Sequence, residues 1–429
     1  MAKSTSTMTG KRRLDIIMNQ LGPVPDGKKL LLQPSPSDVV ITVATRTPLT
    51  KAKKGALKNT AVEELLIAIL SAVREKSGID PALVQDVCVG NVLATDQAYL
   101  ARAAVLTAGF PETTASSVCN RFCSSGLLAI QSIANQIITG AIEVGVAVGA
   151  ESMSTTPDNG SPAMNEKINA HRLAGQIQQP MGQTSENVAA EFNISRAKMD
   201  QYAAESFQFA EKAQREGWPA DEITPVSVHF KDPATGQYET RIVSADDGVR
   251  FGTTAESLAK IRSAFPQWPP GHTTGGNASQ ITDGAAAVLL MRRSKAEKLG
   301  VPILGRFVGA TVVGLEPRIM GIGPSLAIPK ILDQFNLSTS DVDLFEINEA
   351  FASMAVYCVE KLGLDRAKVN PRGGAIALGH PLGCTGVRQV VTALSELRRQ
   401  GKRLAVTSMC VGTGMGMAGI IISENNSKY

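Results

Sequence analysis

Hydrophobic and polar positions in the first part of the chain alternate between short apolar runs and longer stretches with helical spacing. Residues 38–47 (DVVITVATRT) form a β-branched apolar run, which predicts a buried strand. From Thr60 to Lys76 apolar residues recur every three or four positions, and Thr60 with Glu63 has the pattern of a capping box. Similar patterns predict strands at 87–92 and 143–151 and a helix at 124–138. This alternation predicts an α/β fold on a largely parallel sheet.

The same order of elements returns in the last part of the chain. Its patterns predict strands at 303–313, 342–347, 403–409 and 414–422 and helices at 325–334 and 387–399. Two pairs of landmarks share a separation of 257 residues: Asn91 with Asn348, at the ends of predicted strands, and Cys123 with His380, before predicted helices. A shared separation predicts an internal duplication. If the halves fold alike, a pseudo-twofold axis would bring Cys123 and His380 face to face.

Between the two halves the pattern breaks. This stretch has loops rich in Pro, Gly and Asn, together with one predicted helix that starts at a Ser195 cap and stops at Gly217. Pro-containing sequence before residue 38 is typical of a linker. We therefore divide the chain into a leader and linker (1–37), an N-terminal half (38–152, completed by 281–299), an inserted loop domain (153–280) and a C-terminal half (300–424).

Composition and charge narrow the class of function. With 43% hydrophobic residues and a net charge of only +4 over 429 residues, the sequence predicts a folded protein with a large core. A weakly basic balance suits a small anionic ligand and does not indicate nucleic-acid binding. Six dispersed cysteines in so long a chain indicate free thiols in a reducing compartment, and no apolar run is long enough to span a bilayer.

The N-terminal segment has the features of a targeting address. A basic residue, Leu, five residues, Gln and Leu match the N-terminal peroxisomal signal at Arg13, Leu14, Gln20 and Leu21. An ordinary amphipathic leader, such as a mitochondrial one, is the alternative, although Asp15 counts against it. We therefore expect the peroxisomal matrix as the location and a peroxisomal import receptor as a partner.

Cys123 stands in Asn-Arg-Phe-Cys-Ser-Ser-Gly, directly before an apolar helix. A helix start offers free N–H groups and the positive end of the dipole, and both stabilise a thiolate. We therefore expect a reactive thiol, whereas an arbitrary cysteine would be a small buried hydrophobe.

His380 lies between Gly379 and Pro381 on a predicted tight turn, where its imidazole could take the cysteine proton. A helix-capping histidine is the alternative.

Two further segments could supply chemistry. Cys410, at a predicted strand end, offers a second thiol that could move a proton at a carbanion or at another sulfur. Gly412 allows close approach of the backbone and could donate its N–H to an oxyanion. Asn348 could hold a water that polarises a carbonyl. Taken alone, Cys410 could instead be a buried cysteine before a turn, and Asn348 could be a helix cap.

Together, these motifs resemble those of the thiolase family in their order and spacing: Cys-Ser-Ser-Gly at 123–126, Asn-Glu-Ala-Phe at 348–351, Gly-His-Pro at 379–381 and Cys-x-Gly at 410–412. The resemblance covers about residues 38–423 and is strongest to the peroxisomal members. It implies a thiolase-like α/β fold of two duplicated α-β-α-β-α layered halves with an inserted loop domain. It also implies an acyltransferase that cleaves a 3-ketoacyl-CoA with CoA, the last step of fatty-acid β-oxidation.

The resemblance also implies roles for the site residues. Cys123 would take the acyl group, and His380 would activate it. His380 and a water on Asn348 would bind the enolate oxygen, while Cys410 would move the proton at the acetyl carbon or the CoA thiol. The N–H groups of Cys123 and Gly412 would bind the oxyanion of the acyl-enzyme step. No metal or organic cofactor would be required, and the family is usually a homodimer.

The inserted segment resembles the CoA-binding loop domain of the family. By this resemblance, Arg250 would lie near the adenine and phosphate end of CoA, although it could also be an ordinary solvated charge. Three residues would line the pantetheine channel: Ser257, Phe265 and Ser279. Met181 and Met320 would border the acyl pocket.

The chain departs from the usual family motifs at two positions, and three alternative functions remain to be weighed. Short-chain acetoacetyl-CoA thiolases have a His where this chain has Pro180, which favours longer acyl chains here. Phe122 replaces the usual polar residue before the nucleophile and is expected to alter packing only. A ketoacyl synthase would lack a second catalytic thiol, so Cys410 argues against it. A non-catalytic acyl-CoA-binding relative would be expected to have lost Cys123 or His380, and both are present.

Overall fold

A computed structural model describes residues 27–231, 236 and 238–424. The predicted targeting residues Arg13, Leu14, Gln20 and Leu21 lie outside the described residues. The strands, numbered along the described chain, are β1 (Val39–Arg46), β2 (Thr50–Lys51), β3 (Asp86–Gly90), β4 (Ala115–Cys119), β5 (Val144–Ser152), β6 (Val226–Lys231), β7 (Tyr238–Val243), β8 (Thr282–Arg292), β9 (Gly305–Gly314), β10 (Leu344–Ile347), β11 (Leu404–Val411) and β12 (Met415–Ser423).

The helices of the same described ranges are α1 (Gly27–Leu31), α2 (Val62–Ser77), α3 (Gln97–Thr107), α4 (Ser125–Thr139), α5 (Glu166–Ala170), α6 (Arg172–Gln176), α7 (Met181–Glu191), α8 (Arg196–Arg215), α9 (Ala255–Ala259), α10 (Arg293–Leu299), α11 (Gly323–Gln334), α12 (Ala352–Leu362), α13 (Ala375–Leu378) and α14 (Thr385–Gln400). Every helix and strand predicted above is present within a few residues of its expected bounds. Elements that were not predicted include helices α3, α7, α10 and α12, strand β4 and the β6–β7 hairpin.

The main sheet runs in the order β10-β11-β12-β9-β1-β8-β5-β3-β4, with β2 paired to β8. Three of its pairings are parallel, β3–β4, β3–β5 and β10–β11, and the others are antiparallel. The expectation of a largely parallel sheet was therefore wrong. A strand covered on both faces is apolar throughout in either orientation, so its composition does not reveal its direction. The strands β8 and β12 each enter a half-sheet antiparallel to both of their neighbours.

The molecule is built of five layers. Helices α2 and α3 cover the outer face of β4-β3-β5-β8-β1, and α11 and α12 cover the outer side of β10-β11-β12-β9. Helices α4 and α14 lie between the two half-sheets and form the central layer. Strand β1 shows why both faces are apolar, because Val40 and Val43 join the outer core while Val39 and Ile41 join the central one.

The two halves have the same strand order. From the junction outward, β1-β8-β5-β3 corresponds to β9-β12-β11-β10, and β1 meets β9 antiparallel at Val39–Ile41. The edge strand β4 also has a counterpart, because Val369 forms an isolated parallel bridge with Phe345 of β10. The duplication predicted from the sequence is therefore present. However, α4 and α14 begin 260 residues apart, so His380 lies three residues further from its helix than Cys123 does from α4.

Two glycines allow the central helices to approach each other closely. A Cβ atom on Gly126 of α4 would lie 2.7 Å from the carbonyl oxygen of Gly383, and one on Gly386 of α14 would lie 2.3 Å from the nitrogen of Leu127. Neither position can hold a larger side chain without separating the helices. Since Gly126 follows Cys123 by three residues and Gly383 follows His380 by three, this contact joins the two predicted catalytic turns.

Helix starts in the sequence were predicted with mixed success. Helix α2 is capped one residue later than expected, because the carboxylate of Glu64 accepts the N–H of Ala61 at 2.8 Å while Glu63 makes no such bond. The Ser195 cap of α8 is confirmed by its hydroxyl, which accepts the N–H of Lys198. The capping alternative for Asn348 is wrong, since the cap position of α12 is occupied by Phe351.

Buried ion pairs attach residues of the inserted segment to both halves. Arg46 of β1 donates to both carboxylate oxygens of Asp246, at 2.8 and 2.9 Å, and to Glu222 at 2.8 Å. Glu222 also accepts from Arg372 of the C-terminal half at 2.7 Å. All four side chains are at least nine-tenths buried. Because opposite charges are paired in it, this network fixes the insertion against both halves.

Candidate active site

Cys123 lies in the turn that joins β4 to α4, and its side chain is only 8% exposed. The turn is tied by Ser125, whose hydroxyl donates to the carbonyl of Phe122 at 2.7 Å and accepts the N–H of Arg121 at 2.9 Å. Phe122 adopts a positive φ of 46°, which is unusual for a bulky residue. These bonds hold the backbone in that conformation and place the thiol at the first turn of α4.

His380 is held at its backbone and at both ring nitrogens. Its N–H donates to the carbonyl of Gln280 at 2.9 Å. Its Nδ1 lies 2.6 Å from the hydroxyl of Thr385, and its Nε2 lies 3.3 Å from Nδ2 of Asn348. The ring is buried, with 6% of the residue exposed. The preceding Gly379 has φ +109°, and a Cβ there would lie 2.2 Å from Thr282, so glycine is required at this turn.

Asn348 follows the end of β10 and is also buried. Its backbone N–H donates to the carbonyl of Ser408 in the neighbouring strand, and its side-chain nitrogen faces His380. Its Oδ1 atom is buried without a hydrogen-bond partner in the protein. A buried amide oxygen without a partner is costly, so this atom is suited to accept a hydrogen bond from water or substrate.

Cys410 and Gly412 come to the site from the end of β11. The N–H of Gly412 lies near enough to the Cys123 sulfur to lower the pKa of its thiol, and Cys410 is close enough to Cys123 for a thiolate there to disfavour a second one. The ring of Phe122 lies 3.6 Å from the position that a Cβ on Gly412 would occupy. The structure therefore brings Cys123, Cys410 and Gly412 together, and the contact between Gly126 and Gly383 sets the His380 turn against them.

Burial keeps the reactive groups uncharged. It raises the pKa of the Cys123 thiol to about 11, although the N–H groups of Gly412 and of Cys123 itself oppose that shift. The expectation that the helix start would lower this pKa was therefore wrong, because desolvation outweighs the dipole and the N–H bonds. Burial, and to a lesser extent the charge of Arg388, lowers the pKa of His380 to about 3. At rest, Cys123 is therefore a neutral thiol and His380 a neutral imidazole.

The predicted acyl-pocket residues lie in one apolar cluster with Cys410. Met320 is a buried member of this cluster, and Met181, at the start of α7, packs against it. The other buried members are Val188, Ile319, Ile322, Ala350 and Met354. One contiguous apolar cluster therefore includes the second thiol and both of the predicted acyl-pocket methionines.

The predicted CoA-channel residues lie in the inserted segment and outside that cluster. Arg250 is exposed and lies over the ring of Phe207 at 5.4 Å. Ser257 is exposed and caps α9 through Thr254, a local use that the sequence interpretation missed. Phe265 packs its ring against Gly182, beside Met181. Ser279 donates its N–H to the carbonyl of Ala350, which connects this loop to the segment that follows Asn348.

Sequence reasoning missed three residues that support the site. Thr385 bonds the His380 ring. Glu151, at the end of β5, accepts the N–H of Gly383 at 3.0 Å and those of two residues after β3. Glu349, next to Asn348, is buried and accepts hydrogen bonds from Tyr202, Ser206, Asn370 and Ile376. Two signals could have indicated these carboxylates: Glu151 stands at the end of an apolar strand, and Glu349 stands next to the candidate residue Asn348.

Other kinds of site are not evident in the described ranges. Within 27–231, 236 and 238–424, no cluster of three or more His, Cys, Asp or Glu side chains is arranged to hold a metal ion. Over the same residues, no helix combines the length and apolar character needed to cross a membrane. All six cysteines are free thiols.

Comparison with known proteins assigns the family. Residues 39–294 match the family described as "Thiolase, N-terminal domain", and residues 301–423 match "Thiolase, C-terminal domain". The chain is 49% identical to a peroxisomal 3-ketoacyl-CoA thiolase of Yarrowia lipolytica over 96% of this chain and 100% of that protein. It is 50% identical to the human peroxisomal 3-ketoacyl-CoA thiolase over 92% and 93% of the two chains. Its structure superposes on the dimeric peroxisomal thiolase of Saccharomyces cerevisiae with a TM-score of 0.84 and 47% identity, covering 92% and 100% of the chains. The chain therefore belongs to the thiolase family.

Proposed function

We propose that this chain is a peroxisomal 3-ketoacyl-CoA thiolase, an acetyl-CoA C-acyltransferase that completes a round of fatty-acid β-oxidation. The observation that carries this assignment is the meeting of two buried thiols, Cys123 and Cys410, at the N–H of Gly412, beside an apolar cluster. Full-length identity near one half to relatives that bear this name supports the same activity.

In the first half-reaction, the Cys123 sulfur attacks the 3-keto carbonyl while Nε2 of His380 takes the thiol proton. The N–H groups of Cys123 and Gly412 would bind the resulting oxyanion. When the carbonyl re-forms, the bond between carbons 2 and 3 breaks. The electron pair passes to the acetyl-CoA enolate, whose oxygen is bound by protonated His380 and a water on Asn348. Cys410 then protonates carbon 2, which leaves an acyl-Cys123 thioester and a Cys410 thiolate.

In the second half-reaction, the Cys410 thiolate takes the proton of an incoming CoA thiol. The CoA sulfur attacks the acyl-Cys123 thioester, and the oxyanion again forms at the N–H groups of Cys123 and Gly412. Collapse releases the shortened acyl-CoA, and His380 returns its proton to Cys123. Every proton removed is returned, so the cycle needs no metal or organic cofactor, and CoA enters only as a substrate. Arg250, Ser257, Phe265 and Ser279 would contact its nucleotide and pantetheine parts.

The alternatives are less well supported. A ketoacyl synthase would have no use for the thiol of Cys410, which lies in the cluster with Met320. A short-chain acetoacetyl-CoA thiolase is not favoured, because the relatives reported above are 3-ketoacyl-CoA thiolases and Pro180 stands at the head of α7. A non-catalytic acyl-CoA-binding protein would not need both Cys123 and His380.

The assay that tests this function is thiolysis of a series of substrates from acetoacetyl-CoA to 3-ketopalmitoyl-CoA. We expect the highest kcat/KM with medium or long chains, because the cluster around Met181 and Met320 offers apolar surface beyond the acetyl group. The readout is the loss of 3-ketoacyl-CoA absorbance together with acetyl-CoA formation. A rate confined to acetoacetyl-CoA would support the short-chain alternative, and no thiolysis at any length would support the binding protein.

We also propose that the chain works as a homodimer, as the dimeric yeast thiolase does. The surface that fits this role lies at the β4 edge of the sheet, where β4 pairs with β3 and with no other strand of the described residues. Exposed aromatic residues lie on the neighbouring elements: Tyr99 of α3 is 83% exposed and Phe122 is 40% exposed. An unpaired edge with exposed aromatics is typically covered by a partner. A purely monomeric species in sedimentation velocity at assay concentrations would overturn this proposal.

The protein is peroxisomal, like the named relatives. We propose that an import receptor binds the segment containing Arg13, Leu14, Gln20 and Leu21. A Leu14→Arg substitution should leave a fluorescent fusion in the cytosol, because it replaces an apolar residue of the motif with a charged one. A Lys3→Arg substitution, outside the motif, is the matched control. Unchanged import of the Leu14→Arg protein would show that another segment carries the address.

A further inference from the structure

The His380 ring has a different partner on each side. Nδ1 lies 2.6 Å from Oγ1 of Thr385, and Nε2 lies 3.3 Å from Nδ2 of Asn348. Thr385 is the first residue of α14 and is completely buried. A neutral imidazole carries a single proton, and these two partners determine which nitrogen holds it.

The partner at Nε2 favours a bare nitrogen there. The side-chain nitrogen of Asn348 can only donate, so the contact is a hydrogen bond only if Nε2 offers its lone pair. The remaining proton must then lie on Nδ1. An Nε2–H would face the amide hydrogens of Asn348 in a buried site, which is unfavourable.

The partner at Nδ1 is able to accept that proton. Besides facing His380, the Thr385 hydroxyl lies 3.3 Å from the carbonyl oxygen of Pro381, to which it can donate its hydrogen. Donation in that direction leaves an oxygen lone pair for the Nδ1–H of His380. The turn that begins at Pro381 thus orients the hydroxyl, and both sides of the ring agree on one tautomer.

We propose that Thr385 is a positioning residue that holds His380 in the Nδ1–H tautomer, so that Nε2 is free to receive the Cys123 proton. The inference rests on the proposed thiolase function for its kinetic consequence, but the tautomer itself can be measured independently. When Nε2 takes the proton, the imidazolium keeps its Nδ1–H bond to Thr385 and presents a new Nε2–H to the enolate oxygen. The Thr385 hydroxyl therefore supports His380 both as the base that accepts the Cys123 proton and as the donor that binds the enolate oxygen.

Neutrality of the ring makes the tautomer decisive. Burial and the positive charge of Arg388, three residues after Thr385 in α14, oppose the imidazolium in the resting enzyme. Arg388 itself pairs with the buried carboxylate of Glu346 at 2.5 Å. A resting His380 is thus neutral throughout the physiological range, and its reactivity depends on which nitrogen bears the proton.

The test compares Thr385→Val, which keeps the shape and removes the hydroxyl, with Thr385→Ser, which keeps the hydroxyl. We expect Thr385→Val to lower kcat for thiolysis by at least about tenfold with little change in the KM for CoA, since a histidine in the wrong tautomer is a poor base. Thr385→Ser should recover most of the rate. Equal losses in both variants, or full activity of Thr385→Val, would refute the positioning role.

A second measurement reads the tautomer directly. The chain has four histidines, so ¹⁵N-histidine spectra are simple, and a His380→Asn variant identifies the resonances of His380. In the wild type we expect a protonated Nδ1 and a bare Nε2, and in Thr385→Val a mixed or reversed pattern. A wild-type ring protonated at Nε2 would overturn the inference even if thiolysis is robust. Absence of thiolysis with the expected tautomer would instead refute the proposed function alone.

Discussion

A Cys123→Ser variant should lose thiolysis by at least about four orders of magnitude while still binding CoA. The wild-type thiol is already hard to ionise, because burial raises its pKa to about 11. A serine hydroxyl is far less acidic than a thiol and a weaker nucleophile, so the N–H of Gly412 and the His380 base cannot compensate. CoA binding should persist because the predicted contacts of the nucleotide lie in the inserted loops around Arg250.

The measurement combines kinetics with intact-protein mass spectrometry. Wild-type protein mixed with a 3-ketoacyl-CoA in the absence of free CoA should gain the mass of the shortened acyl group, and the serine variant should not. Cys119→Ser is the matched control, because Cys119 is only four residues away and contacts Ser125 rather than Gly412. That control should retain most of the wild-type rate. An acyl adduct on Cys119 or Cys410 in place of Cys123 would contradict the assignment of the nucleophile.

Replacing Arg46 with Met should destabilise the protein by about 3–5 kcal/mol, the cost of breaking a buried ion pair by removing one partner. Arg46 supplies three of the hydrogen bonds to Asp246 and Glu222, and all three side chains are buried. After the substitution, Asp246 would keep the N–H of Leu49 as a partner but no cation. Glu222 would retain Arg372 and Thr392, so the larger loss falls on Asp246.

Urea unfolding of the two proteins measures this difference. Lys198→Met is the matched control, since Lys198 pairs with Glu360 at 2.7 Å but both side chains are about half exposed. Exposed pairs contribute roughly 0–1 kcal/mol, so this control should unfold close to the wild type. An Arg46→Met protein as stable as the control would show that the buried network does not hold the insertion in place.

The sequence predicted the elements of the core reliably because each half buries both faces of its strands and one stripe of each helix. Continuous apolar runs and helical spacing follow directly from that burial. Elements with weaker apolar patterns were not predicted. Strand β4 reads ASSVC and is mostly exposed or half-buried at the sheet edge, and the β6–β7 hairpin is rich in polar residues. Neither has the apolar signature on which the prediction depends.

The candidate site also contains residues that the sequence predicted and residues that it did not. Its residue types and their order were evident in short motifs, and the glycines near Cys123 and His380 are required because other atoms approach their backbone closely. The supporting residues Glu151 and Thr385 were not evident. Glu151 bonds Gly383, which is distant in sequence, and Thr385 bonds the His380 ring, whose orientation depends on the fold.

By itself, then, the sequence determined the duplicated α/β layers, the chemical groups of the site and the family to which they belong. The tertiary structure decided the strand directions, the crossing of α4 and α14 at two glycines, and the protonation of the reactive groups. Strand direction depends on which strands become neighbours, and a pKa depends on how much water the surrounding elements exclude. The helix start alone predicted a thiolate at Cys123, but burial by the whole molecule outweighs that local effect, raises the pKa of the thiol and leaves it protonated.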